Sequence, residues 1–253
     1  FDVIVPSLPG FGFSGRPGRP IGPRKMAELF NRLMIDVLGY SNYLAQGGDW
    51  GGAISSWLGF EHAPACQAMH INMLNMRHPD GPHGPEEEAW EVQFERDQLL
   101  ENGYRPQQAT KPETLSSAMM TSPFGVAAWI IEKFNSWSDT DGDNIESAHT
   151  KDSLLTNIMV YLVTKTFNTA SWIYYGRREE GGRLLSTDNR RVEVPTAAAL
   201  FPAELLAWPP RSYVERLYNI THWSEMPRGG HFAALEEPEL LIDDIRAFAR
   251  TLR

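Results

Sequence analysis

Between the strand-like stretch Asn42-Tyr43-Leu44-Ala45-Gln46 and a following apolar, helix-like stretch lies Gly47-Gly48-Asp49-Trp50-Gly51-Gly52, the segment that most limits the fold. Glycines on both sides permit a strained strand-to-helix turn and allow the next helix to pack closely. Such a turn belongs to a sheet whose strands feed directly into helices, and its apex pushes the side chain of Asp49 into a cleft. A serine at that apex needs a base to become nucleophilic. An aspartate is already ionised at neutral pH and can attack an electrophilic carbon directly, leaving an alkyl ester on the protein. That chemistry suits strained ethers and alkyl halides. The plainer reading is a Gly-rich turn whose Asp caps a helix N-terminus.

A nucleophile on such an elbow is followed along the chain by an acid and then a histidine. Met226-Pro227-Arg228-Gly229-Gly230-His231-Phe232-Ala233-Ala234-Leu235-Glu236-Glu237-Pro238 supplies a late histidine, His231. Before it, Thr221-His222-Trp223-Ser224-Glu225-Met226 reads as a short strand. After it, Pro238 opens a helix whose Leu241, Ile245, Phe248 and Leu252 fall at helical spacing.

The two blocks stand in a longer series. The run Pro6-Ser7-Leu8-Pro9-Gly10-Phe11-Gly12-Phe13-Ser14, the elbow, Thr110-Lys111-Pro112-Glu113-Thr114, Val194-Pro195-Thr196 through Phe201-Pro202-Ala203-Glu204, and Arg228-Gly229-Gly230-His231-Phe232-Ala233-Ala234 occur in this order. In that order they resemble the microsomal-type epoxide hydrolases of the α/β-hydrolase superfamily, including their bacterial relatives. The resemblance implies an α/β-hydrolase fold, a mostly parallel sheet flanked by helices, with an inserted, mainly helical cap.

The coarse pattern along the chain agrees. Residues 1–76 alternate strand and helix: a strand at Phe1–Val5, a helix over Lys25–Leu38, the strand into Asp49, a helix from Gly52 to about Phe60, and a strand over Ala68–Leu74. Residues 77–187 change character. A turn-rich stretch from His78 to Pro85 leads into helical segments over Glu86–Glu101, Val126–Phe134 and Lys151–Thr169, which makes this block the expected cap. Residues 188–253 resume the core with a strand at Arg191–Thr196.

The triad acid must lie between nucleophile and histidine. Glu204, on the loop after the resumed strand, is the first choice; it would accept the second ring N–H of His231 and stabilise the imidazolium as His231 takes a proton from water. Asp80, after an earlier strand, is the rival. Opening an epoxide also needs a proton donor, and the family resemblance implies two cap tyrosines. Tyr104, shortly before Thr110-Lys111-Pro112, matches the first, and Tyr175 the second, with Tyr174 the alternative one residue away. A phenol stays protonated at neutral pH and offers one directed donor. The Trp50 backbone N–H would hold the tetrahedral oxyanion together with one donor from an upstream loop.

In the family, Phe1–Val5 would be an internal strand, preceded by earlier strands, a helix and a His-Gly-x-Pro loop. These 253 residues contain none of these, so an incomplete catalytic unit with an unpartnered first strand, inactive on its own, is expected. The net charge of −9 and a pI near 5.3 disfavour nucleic acid and anionic membrane surfaces as partners. The single cysteine, Cys66, excludes an internal disulfide framework and fits a reducing, cytoplasmic setting. No apolar run approaches the roughly 18 residues of a membrane span. The Asp139-Thr140-Asp141-Gly142-Asp143-Asn144 segment lacks the glycine and glutamate positions of a calcium loop, and the histidines lack zinc spacing, so neither metal nor organic cofactor is expected.

The expected activity is hydrolysis of a lipophilic epoxide to a vicinal diol through an Asp49 ester, in detoxification or secondary metabolism. Partners reduce to the epoxide and water, and a homodimer is compatible with this reading. A haloalkane dehalogenase, which also uses an Asp-Trp-Gly elbow, is the nearest alternative; a non-catalytic ligand-binding member of the superfamily is another.

Overall fold

A computed structural model describes residues 1–252. In chain order its regular elements begin with α1 (Pro23–Arg32), β1 (Tyr43–Gly47), α2 (Asp49–Glu61), β2 (Cys66–Ile71) and α3 (Gly84–Glu101). There follow α4 (Tyr104–Thr110), α5 (Pro112–Met119), α6 (Pro123–Trp137), α7 (Lys151–Thr164) and α8 (Phe167–Glu179). The chain ends with β3 (Val192–Leu200), α9 (Arg211–Leu217), β4 (Tyr218–Glu225), α10 (Ala233–Glu236) and α11 (Pro238–Arg250). These elements group into two compact units. One, the sheet unit, comprises residues 23–101, 137–139 and 183–253; the other, mainly helical, comprises 1–22, 102–136 and 140–182.

In the sheet unit the four strands lie in the order β1-β2-β3-β4 and every pairing is parallel. Parallel strands need crossover connections, and helices on the faces then bury both sides. The sequence answers that demand. β2 buries Cys66, Ala68, Met69, His70 and Ile71, and β3 buries Val192, Val194 and Ala197 to Ala199. α2 is buried almost all round, with Ala53, Ile54, Trp57 and Leu58 in the core. The alanines of β3 are small enough to admit α11 closely: Phe248 packs on Ala68 and Ala197, and Leu241 on Ala199, Phe201 and Ala233. Burying one such side chain stabilises the fold by about 1.5–3 kcal/mol.

α11 carries a polar pin on the same face. Asp244 accepts hydrogen bonds from His70 Nε2 at 2.9 Å, His222 Nε2 at 2.8 Å and Ser224 Oγ at 2.6 Å, joining the helix to β2 and β4. Burial by itself would raise the pKa of this carboxyl, but the three hydrogen bonds outweigh it and hold it near about 2.

The helical unit has its own apolar cluster of Val126, Ile158 and Phe167, with Trp129, Ile130, Tyr161 and Leu162 against it. The Gly10–Ser14 turn is tied to this unit: Gly12 N–H donates to Thr166 Oγ1 at 3.2 Å, and Thr169 Oγ1 donates to Gly10 O at 2.5 Å. No single helix among the described residues is long and apolar enough to cross a membrane.

Several elements differ from the sequence expectation. Phe1–Val5 forms no strand, and its apolar side chains Phe1, Val3 and Val5 are exposed. The helix expected over Lys151–Thr169 is two helices. Lys165 takes a left-handed conformation with φ 55° and returns its N–H to Leu162 O, ending α7 before Phe167 starts α8. The helix expected over Lys25–Leu38 starts at Pro23 and widens into a π turn over Leu33–Val37.

Candidate functional site

In an all-parallel sheet, the loops leaving the carboxyl ends of the strands converge on one edge, which is where α/β folds place their chemistry. Asp49 follows β1, Asn72 and Asn75 follow β2, Glu204 follows β3, and His231 follows β4. Four sequence-distant segments of the sheet unit thus supply one edge.

The elbow forms with the expected strain. Asp49 has φ 41°, a left-handed conformation that costs a non-glycine residue about 1–3 kcal/mol, and it is the first residue of α2. Gly47 makes the turn sterically possible: a Cβ there would lie 2.2 Å from the carbonyl carbon of Gly51. Two residues given no role in the sequence reading brace the apex and the strand before it. Asn75 Nδ2 donates to the Asp49 carbonyl at 2.9 Å, and Asn72 Oδ1 accepts from Gln46 Nε2 at 3.1 Å. The signal for them was a pair of buried amides inside the apolar run Ile71–Met76, where a polar side chain must find a partner. β2 ends at Ile71, short of the expected Leu74, so that these amides leave the ladder and reach the elbow. The Trp50 N–H belongs to the first turn of α2, whose amides point out of the helix's N-terminal end.

His231 and Glu204 meet. The Nδ1–H of His231 donates to Glu204 Oε1 at 2.8 Å, with side chains only 5% and 2% exposed. Burial opposes the imidazolium, yet the Glu204 charge, its hydrogen bond, and the charges of Asp49 and Glu236 outweigh burial and lift the pKa of His231 to about 9. The ring is flanked edge-on by Trp137 and Phe232, at centroid distances of 5.1 Å each. The rival acid, Asp80, accepts instead from Asn189 Nδ2 at 2.8 Å and is exposed. Between the two carboxylates weighed from the sequence, it is Glu204 that bonds the histidine.

The tyrosines lie in the helical unit. Tyr104 opens α4 and its ring meets that of Tyr174 edge-on at 5.7 Å, with Lys133 Nζ 4.9 Å over its face. The Tyr175 ring carries the Arg178 guanidinium at 4.6 Å. The unit therefore brings Tyr104 against Tyr174, the alternative one residue away, and sets the Arg178 guanidinium on Tyr175. Among the described residues, no group of three or more His, Cys, Asp or Glu is placed to hold a metal ion.

Residues 1–142 match the family model described as alpha/beta hydrolase fold. The chain belongs to the α/β-hydrolase fold family. It is 35% identical to juvenile hormone epoxide hydrolase 2 of Ctenocephalides felis, over 97% of the chain and 57% of that protein. It is 33% identical to epoxide hydrolase 1 of Oryctolagus cuniculus, over 98% of the chain and 60% of that protein. The chain thus spans somewhat over half the length of these α/β-hydrolase relatives. Among solved structures it resembles the juvenile hormone epoxide hydrolase of Bombyx mori, with a TM-score of 0.85 and 30% identity over 98% of the chain and 64% of that structure. The Aspergillus niger epoxide hydrolase matches with a TM-score of 0.81 and 30% identity over 98% and 62%.

Proposed function

We propose that this α/β-hydrolase opens a lipophilic epoxide to a diol through an ester on Asp49. The observation that carries the reading is the buried Nδ1–H hydrogen bond from His231 to Glu204, in a site where the charge of Asp49 is felt at the imidazole. The likeness to proteins named as epoxide hydrolases supports it.

In the first half-reaction an Asp49 carboxylate oxygen attacks an epoxide carbon, the C–O bond breaks, and the oxygen leaving the ring takes a proton from a tyrosine. Tyr104 and Tyr175, or Tyr174 in its place, are the proposed donors. A neutral ester then replaces the Asp49 charge. Since that charge is one of those lifting the pKa of His231, alkylation brings the imidazole closer to its neutral, basic form when a base is needed. His231, oriented by Glu204, takes a proton from water; the hydroxide adds to the ester carbonyl, and the oxyanion is met by the Trp50 N–H. As the ester C–O bond breaks, the imidazolium returns its proton to the departing alkoxide, the diol leaves, and the proton left on the Asp49 carboxyl passes through water to the tyrosinate, restoring the starting state.

Replacing His231 by Gln should leave alkylation intact and block hydrolysis. With a reactive aryl epoxide, intact-mass measurement should show a stable adduct mapping to Asp49 by peptide analysis. An adduct elsewhere, or normal turnover by His231→Gln, would falsify these roles. Halide release from an alkyl halide in place of diol formation would assign the site to a dehalogenase.

A further inference from the structure

Around His231, every backbone N–H from residue 229 to 232 donates to an acceptor elsewhere in the sheet unit. Gly229 N–H donates to Asp139 Oδ2 at 2.8 Å and Gly230 N–H to Glu236 Oε2 at 2.9 Å. His231 N–H donates to the Trp137 carbonyl at 2.8 Å and Phe232 N–H to Glu236 Oε1 at 2.8 Å. Glu236 Oε2 also accepts Asp139 N–H at 2.7 Å, so one carboxylate joins the tripeptide 137–139 to both sides of the histidine. Gly229 opens this run in the left-handed region, with φ 103°, where a side chain would be strained.

Glu236 ends the four-residue helix α10, and its carboxylate is partly withdrawn from water. Burial raises its pKa, the three backbone N–H groups work against that, and the nearby Asp139 charge adds to the rise. A neutral side chain would suffice to end a short helix. A carboxylate kept at that cost between two residues of a histidine loop is placed for what it does to the loop.

We propose that Glu236 is a positioning residue for ester hydrolysis, its carboxylate fixing the peptide groups on both sides of His231 so that the imidazole stays on Glu204 while taking a proton from water. This rests on the epoxide hydrolase reading above. Glu204 aims the ring through its nitrogen, whereas Glu236 sets where the ring is carried. The charged groups acting on His231 are Glu204, Asp49 and Glu236, with Asp139 bonded beside Glu236.

The test compares the two half-reactions in wild type, Glu236→Gln and Glu236→Asp by single-turnover intact-mass kinetics with a reactive aryl epoxide across a pH series. Gln turns one acceptor into a donor facing a backbone N–H; Asp keeps the charge but shortens the reach. Ester formation on Asp49 should be unchanged, and hydrolysis should slow by about 10–100-fold in both variants, the scale for an ångström-size misplacement of a reacting group. In Glu236→Gln the acid limb of the hydrolysis rate should also move to lower pH, because one negative charge near His231 is gone; in Glu236→Asp it should stay nearer the wild-type position. A merely structural Glu236 would lower the melting temperature and the active fraction of both steps alike, with an unmoved pH limb, and that result overturns the proposal. Should Glu236→Gln fail to fold, the split between the steps in Glu236→Asp decides. Absence of any wild-type ester on Asp49 would refute the epoxide hydrolase reading itself and take this proposal with it, an outcome distinct from a wild type that forms the ester and a Glu236 variant that hydrolyses it normally.

Discussion

Glu204→Gln tests the electrostatics of the buried pair without touching its shape. His231 is lifted from an ordinary 6.5 to about 9, which corresponds to a preference for the charged ring of roughly 3 kcal/mol. The folded pKa lies above the unfolded one, so this stabilisation is fully present below pH 6.5 and is lost as pH rises through about 9. Gln keeps an acceptor oxygen but removes the charge that favours the imidazolium most, leaving those of Asp49 and Glu236 to work against burial; breaking a comparable buried pair costs about 3–5 kcal/mol. The stability gap between wild type and Glu204→Gln should therefore be widest near pH 6 and should narrow by roughly 3 kcal/mol by about pH 10. For a chain of this size that narrowing corresponds to about 6–12 °C in the difference of melting temperatures. The assay is thermal unfolding of both proteins across that range, with the His231 Cε1–H resonance followed by NMR titration. A gap that stays constant with pH, or a His231 titrating near 6.5 in the wild type, would refute the reasoning.

Removing the hydroxyl in Tyr104→Phe or Tyr175→Phe should slow single-turnover ester formation toward the lower end of the about 10²–10⁴-fold general-acid range, and the double variant should lose far more; Tyr174→Phe tests the neighbour that touches Tyr104. Near wild-type alkylation in every combination would remove the tyrosines from the mechanism. Asp244→Asn should destabilise the sheet unit by on the order of 3 kcal/mol, since a carboxylate accepting three hydrogen bonds is replaced by an amide. Asp244 has a depressed pKa, so this contribution is present above 3.8 and lost as pH falls through about 2, and urea unfolding should find the two proteins converging only in that acid range. Gly47→Ala should prevent the elbow from closing, giving a protein that neither forms an ester nor shows the wild-type near-ultraviolet circular dichroism; normal ester formation by it would show that the turn can open around a methyl group.

The elements legible in the sequence were those with a local cause. The glycines around Asp49 announced a tight turn whatever lay around it, and the alternation of apolar segments placed β1, α2, β2 and α11 within a few residues. The order of nucleophile, acid and histidine pointed to His231, and the bond to Glu204 follows from both residues leaving neighbouring parallel strands. Long-range pairing could not be read. Nothing local separates Glu204 from Asp80 as the histidine's partner; that depends on β3 lying next to β4. Asn75 and Glu236 act through a backbone atom of a residue far away or across a turn, so their side chains carry no spacing signal. The left-handed Lys165 had no glycine or asparagine to mark it, and the pattern of Phe1–Val5 specifies a buried strand without specifying a partner.

Asp49 occupies a backbone conformation that the fold would fill more comfortably with glycine or asparagine. On the proposed mechanism, selection for a more stable protein and selection for turnover pull on a single codon in opposite directions. In a lineage released from the need to catalyse, that codon is where drift would be rewarded first: a sequence that keeps the glycines and loses the aspartate would record a descendant that had kept the fold and given up the chemistry.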